Sequence, residues 1–128
     1  MFKKIVVGLG KSKTGQLAAE RAFTFASQIG ATLHLVTAFK PGQKDSAGTR
    51  GEAERLLKSF ATGKACPIVT DALPGDPVRA ILQVATEVGA DLIIVGNKGM
   101  RGAGRLLGSV PNSITHKAPC SVLIVKTT

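Results

Sequence analysis

The chain has 128 residues, a length that fits one domain and argues against two independent cores. Seventeen Lys plus Arg against eight Asp plus Glu leave a formal charge of +9, which points to an anionic partner. A hydrophobic fraction of 44% with 20% charged residues excludes global disorder, and no apolar run reaches the roughly 18 residues of a membrane span or the core of a signal peptide, so a cytoplasmic protein is expected.

Lys4-Ile-Val-Val-Gly8 is rich in β-branched residues and reads as a buried strand, followed by a turn through Leu9 to Gly15. From Gln16 a helix is predicted, with Ala18, Ala22, Phe25 and Ile29 on its apolar face and Gly30 as its left-handed stop. Thr32 to Ala38 forms a second strand, and Lys40 to Gly51, with its glycines and mixed charge, reads as an exposed connection. Ala53, Leu56, Leu57 and Phe60 mark a short helix closed at Gly63, and Pro67 to Leu73 a third strand suited to a sheet edge. Asp76 as N-cap and Pro77 at the first helical position open a helix carried by Val78, Ile81, Leu82 and Ala85 and ended by Gly89. Asp91 to Gly96 has the continuous apolar character of a central parallel strand. A glycine-rich loop, a helix near Ser109 to Lys117 with Pro111 in its first turn, and a last strand Ser121 to Val125 complete the chain. This alternation predicts a single-domain α/β fold, an open doubly wound sheet of five parallel strands in the order 3-2-1-4-5 with helices on both faces.

In such sheets ligands bind beyond the carboxyl ends of the strands, where the winding reverses. The first and fourth strands both run into glycine-rich loops there. Between Gly96 and Gly108 stand five glycines, at 96, 99, 102, 104 and 108, and Gly108-Ser109 meets a helix start. Glycine admits close approach of backbone to ligand, and the first N–H groups of a helix have no internal partner, so a phosphate fits there. Lys98, Arg101 and Arg105 lie in this loop and Lys11 and Lys13 in the opposite one, which predicts five positive charges around one crevice. The plainer reading makes the glycines a tightly turning connection and the cations solvated surface.

Gly96-Asn-Lys-Gly99, Gly108-Ser109-Val110 and Ala118-Pro-Cys-Ser-Val-Leu-Ile-Val125 together resemble the carboxyl-terminal signature of the universal stress proteins. The Lys4-Ile-Val-Val-Gly8 start, Gly30-Ala31, Gly75-Asp76-Pro77 and Ala90 to Gly96 extend the resemblance over nearly the whole chain. The ATP-binding members of that family carry Gly-x2-Gly-x9-Gly-Ser/Thr. The resemblance implies that Gly96 and Gly99 approach the ribose and α-phosphate, that Gly108, Ser109 and the Val110 amide hold the distal phosphates, and that Val95 and Ala38 line the adenine pocket. Gly8, Leu9 and Gly10 of the first loop join the expected site from the facing strand end, and Lys98, Arg101 and Arg105 join it by their charge in the glycine-rich loop. The implied ligand is ATP or a related adenine nucleotide, with or without Mg, and the implied partner is a second copy of the chain through the edge strand Ser121 to Val125.

Two departures stand out. Only eight residues, Met100 to Leu107, separate Gly99 from Gly108, one fewer than in the pattern. The family's first loop usually has an acid two positions after the site of Gly8, and here Gly10 stands in its place. A missing polar contact of that kind costs on the order of 1 to 3 kcal/mol and relaxes base selectivity.

Other residues carry less chemistry. Cys66 and Cys120 lack metal or redox spacing and read as buried reduced thiols, while His34 and His116 read as structural or surface groups. Asp91 starts its strand. The absence of Trp and Tyr argues against a nucleic-acid surface built on stacking. No general base or metal-ligating carboxylate appears in the glycine loop, so any ATP hydrolysis would be slow and incidental. The expected function is a nucleotide-binding sensor or regulator. The alternative is a nucleotide-free dimeric module docking on partner proteins or polyanions, for which Lys40 to Lys64, with six basic and three acidic residues, would supply a surface.

Overall fold

The computed structural model describes residues 1–42, 46–98 and 109–128. Its elements are β1 (Lys4–Gly8), α1 (Lys13–Ile29), β2 (Thr32–Phe39), α2 (Arg50–Ala61), β3 (Ile68–Pro74), α3 (Pro77–Val88), β4 (Leu92–Gly96), α4 (Val110–Lys117) and β5 (Ser121–Val125). All pairings are parallel and the sheet order is β3-β2-β1-β4-β5, as the alternation predicts. The winding reverses between β1 and β4.

Side chains alternate across each strand, so the sheet divides the core in two. Ile5, Val7, Leu33, Leu35, Leu92 and Ile94 pack against the alanines of α1 and Leu57 of α2. Val6, Val36, Ala38, Ile93 and Val95 pack against Ile81, Val84 and Ala85 of α3 and Ile114 of α4. Ile114 is fully buried and anchors the short helix α4, so its truncation to alanine would cost about 2–5 kcal/mol.

Local signals explain most boundaries. Asp76 Oδ1 accepts from the Arg79 amide at 3.1 Å and Pro77 opens α3, while Gly30 and Gly89 end α1 and α3 with φ near +70°. Helix α1 begins at Lys13, ahead of the predicted Gln16, because Ser12 caps it by accepting from the Gly15 amide at 3.1 Å. Its buried face keeps the predicted Ala18 and Ala22 but not Phe25 and Ile29. Ala18, Ala19, Ala22 and Ala26 are buried and Ile29 is 43% exposed, because a helix lying close over the sheet admits only small side chains on its axis. Phe25 is displaced to the flank, where its ring meets Phe2 at 6.5 Å.

Within the predicted exposed connection, Ser46 and Ala47 are buried. The Ala47 amide donates to the Ala38 carbonyl and the Lys40 amide donates to the Ala47 carbonyl, which ties this segment to the end of β2 before Thr49 caps α2. Both cysteines are half-buried rather than buried. Burial of Cys120, with Asp91 nearby, pushes its thiol above the usual range. Strands β3 and β5 are the edges, and Leu123 of β5 is exposed.

Candidate functional site

The chain leaves β1 through Gly8, Leu9 and Gly10 under tight control. The Leu9 amide donates to the Val36 carbonyl at 2.8 Å, and the fully buried Thr37 hydroxyl donates to the Leu9 carbonyl at 3.0 Å. A side chain at Gly8 would place its Cβ 2.9 Å from Cδ1 of Ile81, so the absence of one is what lets α3 close over the strand end. At Gly96 the corresponding space on the α1 side is taken by Thr127, whose Oγ1 lies 3.0 Å from where a Cβ would stand.

Between these two glycines opens a cavity of about 170 Å³. Its floor is the ends of β1 and β4, including Gly8, Val95 and Gly96. Val36 and Ala38 of β2, Ala80 and Ile81 of α3, and Val110 and Pro111 of α4 make an apolar wall. Ser12, Thr14 and Gly15 at the start of α1, with Lys98 and Thr127, make a polar one. An apolar cavity of about 150 Å³ takes up a benzene ring, so there is room for a flat heterocycle with its substituents reaching the mouth.

The electrostatics favour an anion. Lys98 is the one charged side chain among the described lining residues. Helices α1, α3 and α4 all turn their N-terminal ends to the cavity; none has an acid in its first turn, and of the three only α3 is capped by a carboxylate, that of Asp76, so the positive dipole ends of α1 and α4 face the cavity with neutral caps. Ser109 caps α4 by accepting from the Asn112 amide at 3.2 Å. That use of a lone pair leaves its O–H available to donate.

The predicted residues Gly8, Leu9, Gly10, Ala38, Val95, Gly96, Lys98 and Val110 come together in this lining, and Ser109 adjoins it as the cap of α4. Gly99, Arg101, Arg105 and Gly108, with the shortened stretch Met100 to Gly104, lie outside the described residues. The five-cation crevice needs correction. Lys11 pairs with Glu52 of α2 at 3.3 Å, and its hydrogen bond and charge hold the Glu52 carboxyl below the usual range. Lys13 lines a second groove between α1 and α2. Lys11, ahead of the Ser12 cap, is held on the α2 side by its ion pair with Glu52, and Lys13, the first residue of α1, faces the same side.

Ser12, Thr14, Pro77, Ile81, Pro111 and Thr127 also line the cavity, beyond the residues expected from the sequence. Ser12 carries a signal in the sequence, a capping hydroxyl before an apolar-periodic run. Thr127 carries none, since its partner Asn97 is thirty positions away.

The remaining titratable groups serve the scaffold. Asp91 accepts from the Lys3 and Lys4 amides at 2.8 and 3.1 Å at the opposite end of the sheet; burial raises its carboxyl, but these bonds outweigh it and hold it low. His34 is buried on β2 with no partner for Nδ1 among the described atoms. Burial lowers its pKa, Asp71 partly offsetting this and Lys4 adding to it. His116 lies in the last turn of α4, where a cation suits the dipole. No helix among the described residues is long and apolar enough to cross a membrane.

Residues 1–126 match the family model described as the universal stress protein family. The chain is 33% identical over 144 aligned positions to a universal stress protein of Mycobacterium tuberculosis, covering 99% of this chain and 98% of that one. It is 36% identical over 138 positions to one of Thermus aquaticus, with 98% and 100% covered. Among solved structures, a universal stress protein in complex with cAMP superposes with a TM-score of 0.84 at 34% identity, covering 99% of this chain and 98% of that one.

Proposed function

The chain belongs to the universal stress protein family, and from that premise we propose that it binds an adenine nucleotide in the cleft between β1 and β4 as a sensor or regulator. The observation that carries the reading is the cleft itself. One wall is apolar, glycines stand at the strand ends on its floor, and among the described lining residues Lys98 is the sole charged side chain while the N-termini of α1, α3 and α4 open onto it. The base would lie against Ala38, Val95 and Ile81, and the phosphate would lie at the N-terminus of α4, taking the Ser109 hydroxyl and the Val110 amide. The relative of 34% identity in complex with cAMP supports the same ligand class.

The finer reading is ATP or a related adenine nucleotide. Because no described lining side chain is a carboxylate, Mg would enter on the ligand's own phosphates. Gly99, Arg101, Arg105 and Gly108 complete the proposed phosphate site by sequence. With Gly10 in place of a first-loop acid, selectivity for the nucleoside rests on shape. A second copy of the chain would pair with the edge strand β5, where Leu123 is exposed and no residue of the strand is charged. A strictly monomeric sedimentation profile at micromolar concentration would overturn this dimer.

Calorimetric titration with ATP, AMP and cyclic AMP tests the binding, together with chromatography of whatever heat releases from the purified protein. Binding at a hundredfold excess over Kd should raise the unfolding free energy by about 2.7 kcal/mol. No heat, no released nucleotide and no thermal shift with any of the three would leave the nucleotide-free docking module as the better reading.

A further inference from the structure

Asn97 follows β4 directly and precedes Lys98. Its Oδ1 accepts from the Thr127 amide at 2.8 Å and the Thr128 amide at 3.2 Å, with the hydroxyls of Thr127 and Thr128 at 3.2 and 3.3 Å. A carbonyl oxygen has two lone pairs, so the two backbone N–H groups are its principal donors and the hydroxyls share what remains. The carboxamide thus clasps the segment that leaves β5. The clasp has a consequence for the cleft, because Thr127 lines it and fills the space beside Gly96 that any other residue at 96 would occupy. One wall of the cleft is therefore made of a segment whose two last backbone amides both bond a single side chain, Asn97.

We propose that Asn97 is a positioning residue that holds Thr127 as a retaining wall of the nucleotide cleft, so that release of the nucleotide runs through detachment of residues 126–128. The inference rests on the nucleotide reading and goes beyond it in assigning the regulation of ligand residence to the clasp. Core strand pairing does not depend on it. The Gly96↔Val125 register ends β4 and β5 one residue before Asn97 and two before Thr127, so the segment can lift while the sheet stays paired.

Asn97→Leu keeps the side-chain shape and removes the acceptor, and Thr127→Gly removes the wall while leaving Asn97 in place. Release of fluorescently labelled ATP, AMP and cyclic AMP is followed by stopped flow, and amide exchange at Thr127 and Thr128 is read with and without nucleotide. Both variants should release nucleotide about tenfold faster. In the wild type, nucleotide should further slow exchange at Thr127, and in Asn97→Leu that slowing should vanish while the strand amides keep their protection. A purely structural Asn97 would not couple exchange at Thr127 to nucleotide. Unchanged release in a variant whose Thr127 and Thr128 amides exchange freely overturns the proposal. Should Asn97→Leu fail to fold, unchanged release from Thr127→Gly overturns it equally. If the wild type binds none of the three nucleotides, the binding reading falls and the retaining wall falls with it.

Discussion

Gly8→Ala tests the close approach of α3 to the end of β1. Gly8 is not among the glycines with positive φ, so the backbone would accept alanine without strain and the cost is one of space alone. The new Cβ would lie 2.9 Å from Cδ1 and 3.4 Å from Cγ1 of Ile81, whose side chain is buried. Overpacking of this kind costs about 1–3 kcal/mol, and the low end is expected because only the far end of one side chain must turn away. Turning sends Ile81 toward the cavity it lines, so nucleotide affinity should fall about tenfold. Ile81→Val removes the offending Cδ1, alone costing about 0.5–1.5 kcal/mol. In the double variant the two costs should fall short of their sum by about 1 kcal/mol, with affinity partly restored. Urea unfolding with an unchanged m value and calorimetric titration of all four proteins measure both effects. Additive costs, or a Gly8→Ala protein that matches the wild type in stability and affinity, would refute the steric argument.

Thr37→Val keeps the shape of a fully buried side chain but strands the Leu9 carbonyl, and should cost about 1–3 kcal/mol by urea unfolding. Ser109→Ala removes the cap of α4 and should cost about 1 kcal/mol in the nucleotide-free protein, with weaker nucleotide binding in a titration as a separate loss. For His34 the folded-state pKa is lowered, so the unfolded chain takes up the proton first as pH falls. Stability should be fully present above the ordinary histidine range near pH 6.5 and decline below it toward the lowered value, with a slope of at most about 1.4 kcal/mol per pH unit. His34→Leu should remove that component of the slope in denaturant titrations run from pH 7.5 down to about 5; a slope unchanged by the substitution would assign it to other groups.

What the chain alone determined is what local physics controls. The continuous apolar run Leu92–Val95 marks a buried strand, Asp76-Pro77 caps a helix with atoms three residues apart, and alternating elements with right-handed crossovers leave few sheet orders besides the observed one. The glycines leaving β1 and β4 likewise marked where the winding reverses, and hence the place of the cleft. Tertiary structure decided which side chains face that cleft. Lys11 was drawn to Glu52, forty-one positions away, and Thr127 was brought to Asn97 across thirty. It also decided that α1 presents alanines to the sheet and leaves Ile29 outside, since helical period alone cannot measure how closely two elements approach. Such pairings depend on distances set only when the sheet and its helices have docked, so a linear reading finds the floor of this cleft and misses part of its walls.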